Sequence, residues 1–175
     1  MLLSQAELGK NKLKKHKSRK MKILKSIVLV AFVALISNIT SAQVEPIDKN
    51  KLAIGGYDVV SYFTPGKATK GEEKFAVEYN GANYYFASAK NQKTFKANPE
   101  KYLPQCDGYC AWGIAADKGN FPINPLTYKI VEGKLYLFFN GLHEGKQFNS
   151  LTEWNKDEKN YVKKLAVAPG KANKK

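Results

Sequence analysis

The sequence predicts a small α+β domain in which β-hairpins pack on short helices and a longer helix closes the C-terminus. Three observations carry that prediction. Phe75-Ala76-Val77-Glu78-Tyr79 alternates and leads into Asn80-Gly81, the pair that best satisfies a turn needing positive φ at both central residues. Tyr128–Val131 and Lys134–Phe138 repeat that arrangement around Glu132-Gly133. Trp154, Tyr161, Val162 and Leu165 then place an apolar stripe on a C-terminal helix.

The elements follow in order. Ile54-Gly55-Gly56 marks a bend, and Asp58 is placed to cap a helical turn on which Val59, Tyr62 and Phe63 share a face. Thr64-Pro65-Gly66-Lys67 reads as a turn. The first hairpin spans Phe75 to Ala87, with Asn83 to Ala87 as its return strand. Ser88 caps a helix with Phe95 as its core residue. Asn98 then caps a second, short helix with Pro99 at its first position, where the missing N–H costs nothing. Tyr102 and Leu103 turn inward before Pro104. Ser150 and Glu153 form a capping box for the last helix, which Pro169-Gly170 ends.

The 175 residues suffice for one domain and a targeting segment, and 43% hydrophobic against 25% charged residues places the chain among globular proteins. Charge is unevenly spread. The first 42 residues hold nine Lys/Arg and one Glu, a net of +8; the other 133 hold twenty Lys/Arg and fourteen Asp/Glu, a net of +6. The +8 segment has the layout of a secretory signal: Lys20, Lys22 and Lys25, then the apolar run Ile27 to Ile36, then Thr40-Ser41-Ala42 before Gln43. A comfortable spanning helix needs about 20 apolar residues. The expectation is therefore export to the periplasm or beyond. The alternative is an inner-membrane anchor through residues 26–39, the membrane entering only through that uncleaved segment. The chain divides into a basic extension (1–20), a signal peptide (21–42), a polar lead (43–51), a folded domain (52–168) and a basic tail (169–175). The run Lys10 to Lys17 resembles a nucleic-acid arm in composition, but export removes that role, and no nucleic-acid partner is expected.

Catalytic signatures are not evident. No phosphate-cradling glycine loop or Gly-x-Ser-x-Gly segment occurs, and His143 is the only histidine after residue 42. No catalytic residue is assigned, and the chain reads as a non-enzyme more than as an enzyme of unidentified chemistry. The cysteines of Cys106-Asp107-Gly108-Tyr109-Cys110 leave three readings open: a disulfide, two free thiols, or, with His143, a Cys₂His site suited to copper or zinc. Tyr57, Tyr62, Tyr84, Tyr109 and Trp112 are candidates to line a ligand pocket.

Tyr85-Phe86, Phe95 and Pro99-Glu100-Lys101-Tyr102 resemble the YHS domain in its pattern of aromatic strand, helix and closing Pro-x-x-Tyr. Gly56–Phe63, Gly108–Gly113 and Gly133–Leu137 resemble its exported bacterial branch. The resemblance implies metal association, through cysteines that metal-binding members carry where this chain has Ala87 and Asn91. The reading is an exported, non-catalytic YHS-domain protein that binds a soft metal ion or a small ligand. The alternatives are a cell-envelope scaffold or partner-binding module without ligand, and the enzyme.

Overall fold

The computed structural model describes residues 43–64 and 66–167. The signal-like segment, Pro65 and the basic tail lie outside the described residues. Among the described residues, three antiparallel two-stranded pairs alternate with short helices, as the α+β prediction requires. Strand β1 (Glu72–Tyr79) pairs with β2 (Ala82–Phe86). Asn80 (φ 50°) and Gly81 (φ 77°) turn the chain between them, both in the left-handed region. A register shift between Glu72 and Val77 bends β1.

Helix α1 (Ala89–Ala97) starts at Ser88, whose Oγ accepts from Asn91 N at 3.2 Å. Its one buried side chain is Phe95, fully enclosed by Tyr84, Phe86 and Tyr79 at ring distances of 5.2, 5.0 and 5.7 Å. Phe86 is also fully buried, so both aromatic residues of the predicted hairpin–helix contact are core. The 3-10 turn Pro99–Lys101 follows. Asn98 makes no side-chain cap there, contrary to expectation; its φ/ψ of −156°/75° closes α1 through its backbone N–H to Phe95 instead.

Beyond the turn, helix α2 (Ala111–Ala115) leads to β3 (Asn124–Val131) and β4 (Lys134–Phe138), joined by Glu132-Gly133 as expected. Strand β4 is covered on both faces. Leu135 and Leu137 enter the main core with Val59, Tyr62, Phe86, Phe95 and Ile123, whereas Tyr136 and Phe138 point to a second cluster around Trp154. The period-2 alternation of a strand joins the two cores.

The C-terminal region departs from the sequence reading in two ways. A third pair, β5 (Asn140–His143) and β6 (Lys146–Asn149), occupies what was expected to be loop. The single long helix is two: α3 (Ser150–Trp154) and α4 (Glu158–Val167). Asn149, not Ser150, caps α3, its Oδ1 accepting from Leu151 N at 3.0 Å. Ser150 is buried and its hydroxyl faces the core, and Glu153 pairs with Lys156. The predicted stripe is nonetheless real, with Tyr161, Val162 and Leu165 packing on the Trp154 cluster. No described helix is long and apolar enough to cross a membrane.

Candidate functional site

Asp58 is the most deeply placed carboxylate among the described residues, with no exposed surface. Its backbone is held by the bond from its N–H to Thr69 O at 2.9 Å. Oδ1 accepts from Val60 N at 2.8 Å and Ser61 N at 3.2 Å, which caps the turn carrying Val59 and Tyr62. Oδ2 accepts from Ala87 N at 2.9 Å and Asn91 Nδ2 at 2.7 Å. One carboxylate thus ties the N-terminal turn to the end of β2 and the first turn of α1, across 29 and 33 residues of sequence. Four N–H donors satisfy it, as a buried polar group requires. With its lone pairs so engaged, Asp58 holds structure.

The two cysteines occupy different environments. Cys106, Asp107 and Gly108 form a turn with φ of 58°, 51° and 81°, all left-handed. A Cβ at Gly108 would meet Ile54 Cδ1 at 3.0 Å and Pro46 Cβ at 3.1 Å. Ile54, Gly55 and Gly56 form a second left-handed turn, with φ of 50°, 57° and 75°. The two tight turns therefore pack against each other, and only glycine leaves room at 108. Cys106 is half-buried and its thiol is pushed up to about 12, chiefly by burial, then by the neighbouring Cys110 and Asp107 charges. Cys110 is buried. Its sulfur lies 3.1 Å from Ser150 Oγ, whose hydroxyl also reaches Phe139 O at 3.1 Å, and it accepts from Gly113 N at 3.5 Å as the cap of α2. Both are free thiols in the structure.

His143 sits apart, exposed at the end of β5 beside Phe121, Phe148 and Phe139 at 5.6, 6.1 and 6.2 Å. Among the described residues, no three His, Cys, Asp or Glu side chains come together, so Cys106, Cys110 and His143 do not form one cluster.

Of the five aromatic candidates, Tyr62 and Tyr84 belong to the main core and Tyr57 and Trp112 pack against it. Tyr62 is core, donates to Pro125 O at 2.8 Å and meets Tyr128 edge-on at 4.7 Å; burial raises its hydroxyl far above the ordinary range. Tyr84 stacks on Phe95, and burial pushes it up to about 12. Tyr57 lies under Lys70 Nζ at 4.5 Å, Tyr109 is half-buried, and Trp112 packs on Phe148 at 5.4 Å.

Sequence reasoning recognised Asp58 as a cap but missed its bonds to residues 87 and 91, and it passed over Gln43, Phe121 and Phe148. Periodicity reports only neighbours on one element. The Asp58 link runs between elements, and the only available signal was that an amide, Asn91, stands at one of the positions where the resemblance implies cysteine.

Residues 60–106 match the family model of the YHS domain. No curated protein and no solved structure matches the chain. The matched segment contains Ala87 and Asn91, where the resemblance implies thiolate ligands to a soft metal. The residues present do not fit such an ion: position 87 offers a methyl group, and the Asn91 amide nitrogen is a donor already committed to Asp58.

Proposed function

We propose, from the premise that residues 60–106 are a YHS domain, that the protein is an exported, non-catalytic binding protein whose ligand is a small molecule rather than a soft metal ion. The observation that carries this reading is the Asp58–Asn91 bond at 2.7 Å. It occupies with hydrogen bonds the place where metal-binding relatives use sulfur. The order signal segment, cleavage-like Thr40-Ser41-Ala42 and folded domain supports export. The absence of catalysis is supported by the commitment of the buried carboxylate to four structural donors.

A second reading places a soft metal on Cys106 and Cys110. It is favoured by their placement, Cys106 opening a tight turn and Cys110 capping α2 four residues later. It is opposed by the cost of ionising Cys106 and by the engagement of Cys110 with Ser150 and Gly113. Competition titration of Cu(I) and Zn(II) against a chromophoric chelator, on reduced untagged protein, separates the two. The proposal expects the chelator to keep both metals. Stoichiometric transfer to the wild type, abolished by Cys106→Ser, would establish the second reading instead.

A further inference from the structure

The β5–β6 hairpin has one face that carries more polar chemistry than packing requires. Gly141 pairs with Phe148 and His143 with Lys146, so these four positions point to the same side. A Cβ at Gly141 would lie 2.6 Å from Gln43 Nε2. The Gln43 carboxamide therefore takes the place of a side chain at 141, beside Phe148, and its nitrogen donates to Asn140 O. Trp112 packs on Phe148, with ring centroids 5.4 Å apart. Phe121 and His143 stand at the edge, 5.6 Å from each other.

Two buried polar atoms of these residues have no hydrogen-bond partner among the described residues: Gln43 Oε1, an acceptor, and Trp112 Nε1, a donor. A buried polar group left unpaired is costly, because it has lost its water without gaining a partner. Two of opposite kind, flanking one cross-strand pair, form a complement to a molecule that accepts on one atom and donates on the next. The aromatic surroundings add stacking for a flat ring.

We propose that this face is the small-ligand site, and that it takes a neutral planar ring bearing an amide edge. The ligand's carbonyl oxygen accepts from Trp112 Nε1–H, its N–H donates to Gln43 Oε1, and its ring lies against Trp112 and Phe148, with His143 at the open rim. The inference rests on the small-ligand reading above and gives it a location and a ligand class.

The test is a ¹⁵N–¹H titration of the exported chain with nicotinamide, with benzoate as a probe of similar shape that lacks the donor. Trp154 supplies an internal reference, because its Nε1–H is already bonded to Glu158 Oε2 at 2.9 Å. The expected result is a saturable shift of the Trp112 indole resonance with a dissociation constant of about millimolar, as suits so small a probe, while Trp154 stays in place. Benzoate binds at least about tenfold more weakly, and Trp112→Phe, followed at the Gly141 and Phe148 backbone amides because the indole reporter is gone, weakens nicotinamide about tenfold, the effect of one lost hydrogen bond. If Trp112→Phe disturbs the Trp154 resonance and so the fold, Gln43→Met removes the acceptor instead, with the same expected loss. No saturable shift, equal response to benzoate, or binding indifferent to the folded variant would overturn the site. Those outcomes are independent of the chelator titration, which alone decides between small ligand and metal.

Discussion

Asn91 Nδ2 donates to Asp58 Oδ2 at 2.7 Å, and this bond fixes the first turn of α1 to the N-terminal turn of the domain. The same oxygen accepts from Ala87 N, so positions 87 and 91 act together through one acceptor. The resemblance implies that a soft-metal ion draws these two positions together. Here a carboxylate does so with hydrogen bonds.

Replacing Asp58 by Ala leaves the Val60 and Ala87 amides and the Asn91 side chain without their acceptor, while Ser61 N keeps its bond to the backbone oxygen of residue 58. Each buried unpaired group costs about 1–3 kcal/mol, so a loss of roughly 4 kcal/mol or more in denaturant unfolding is expected. Asn91→Ala removes one donor and should cost about 1–2 kcal/mol. An Asp58→Ala loss below about 1 kcal/mol would show that the network does not hold the fold.

Phe95 is fully buried among Tyr79, Tyr84 and Phe86. Phe95→Ala should destabilise by about 3–5 kcal/mol, read from the urea midpoint at unchanged slope. A small effect would mean that α1 presents another face to the hairpin.

Much of this was legible because it is local. Asn80-Gly81 and Glu132-Gly133 turn their hairpins through residues that tolerate positive φ, and Ser88 caps α1 through an oxygen three residues from its donor. The β5–β6 pair was not legible. Asn140–His143 and Lys146–Asn149 are four residues each and lack an alternating apolar pattern, although Glu144-Gly145 repeats the turn chemistry of Glu132-Gly133. Ser150 looked like a cap, yet its hydroxyl satisfies Phe139 O and meets Cys110, partners that sequence spacing does not reveal. The candidate site was readable only in part. Trp112 stood out as an aromatic, but Gln43 reaches Asn140 across 97 residues.

The thiols give a chemical prediction. Burial raises Cys106 to about 12 and Cys110 is buried, so native reduced protein should react with iodoacetamide far more slowly at pH 8 than unfolded protein. Thiol counting on unfolded, unreduced protein should give two. A count of zero would show that the pair oxidises after export.

Glu158 joins Lys129 and the indole of Trp154. The hydrogen bond from Lys129 is the largest cause holding its carboxyl below the ordinary range. A lowered folded pKa means stability that is fully present above the unfolded value and is lost as pH falls through the folded one. Wild type should therefore lose more stability than Glu158→Gln on acidification below the ordinary carboxylate range, and the two should run parallel at neutral pH. Parallel curves throughout would remove Glu158 from the acid response.

Export is tested by intact mass. Val44 exchanges both backbone bonds with Ile123 at 2.8 and 2.9 Å, so the folded domain begins its pairing one residue after Gln43. The expected mature chain starts at Gln43. Recovery of a chain starting at Met1 or Met21 in the membrane fraction would replace secretion with anchoring.

A carboxylate–amide network stands where the resemblance implies a soft-metal pair. Elemental analysis of untagged protein from the envelope fraction tests it most directly, with wild type set beside the double variant Ala87→Cys/Asn91→Cys. Copper and zinc are expected well below one equivalent per chain in the wild type, rising only when the two thiols are introduced. One equivalent of either metal in the wild type, retained through dialysis, would contradict it.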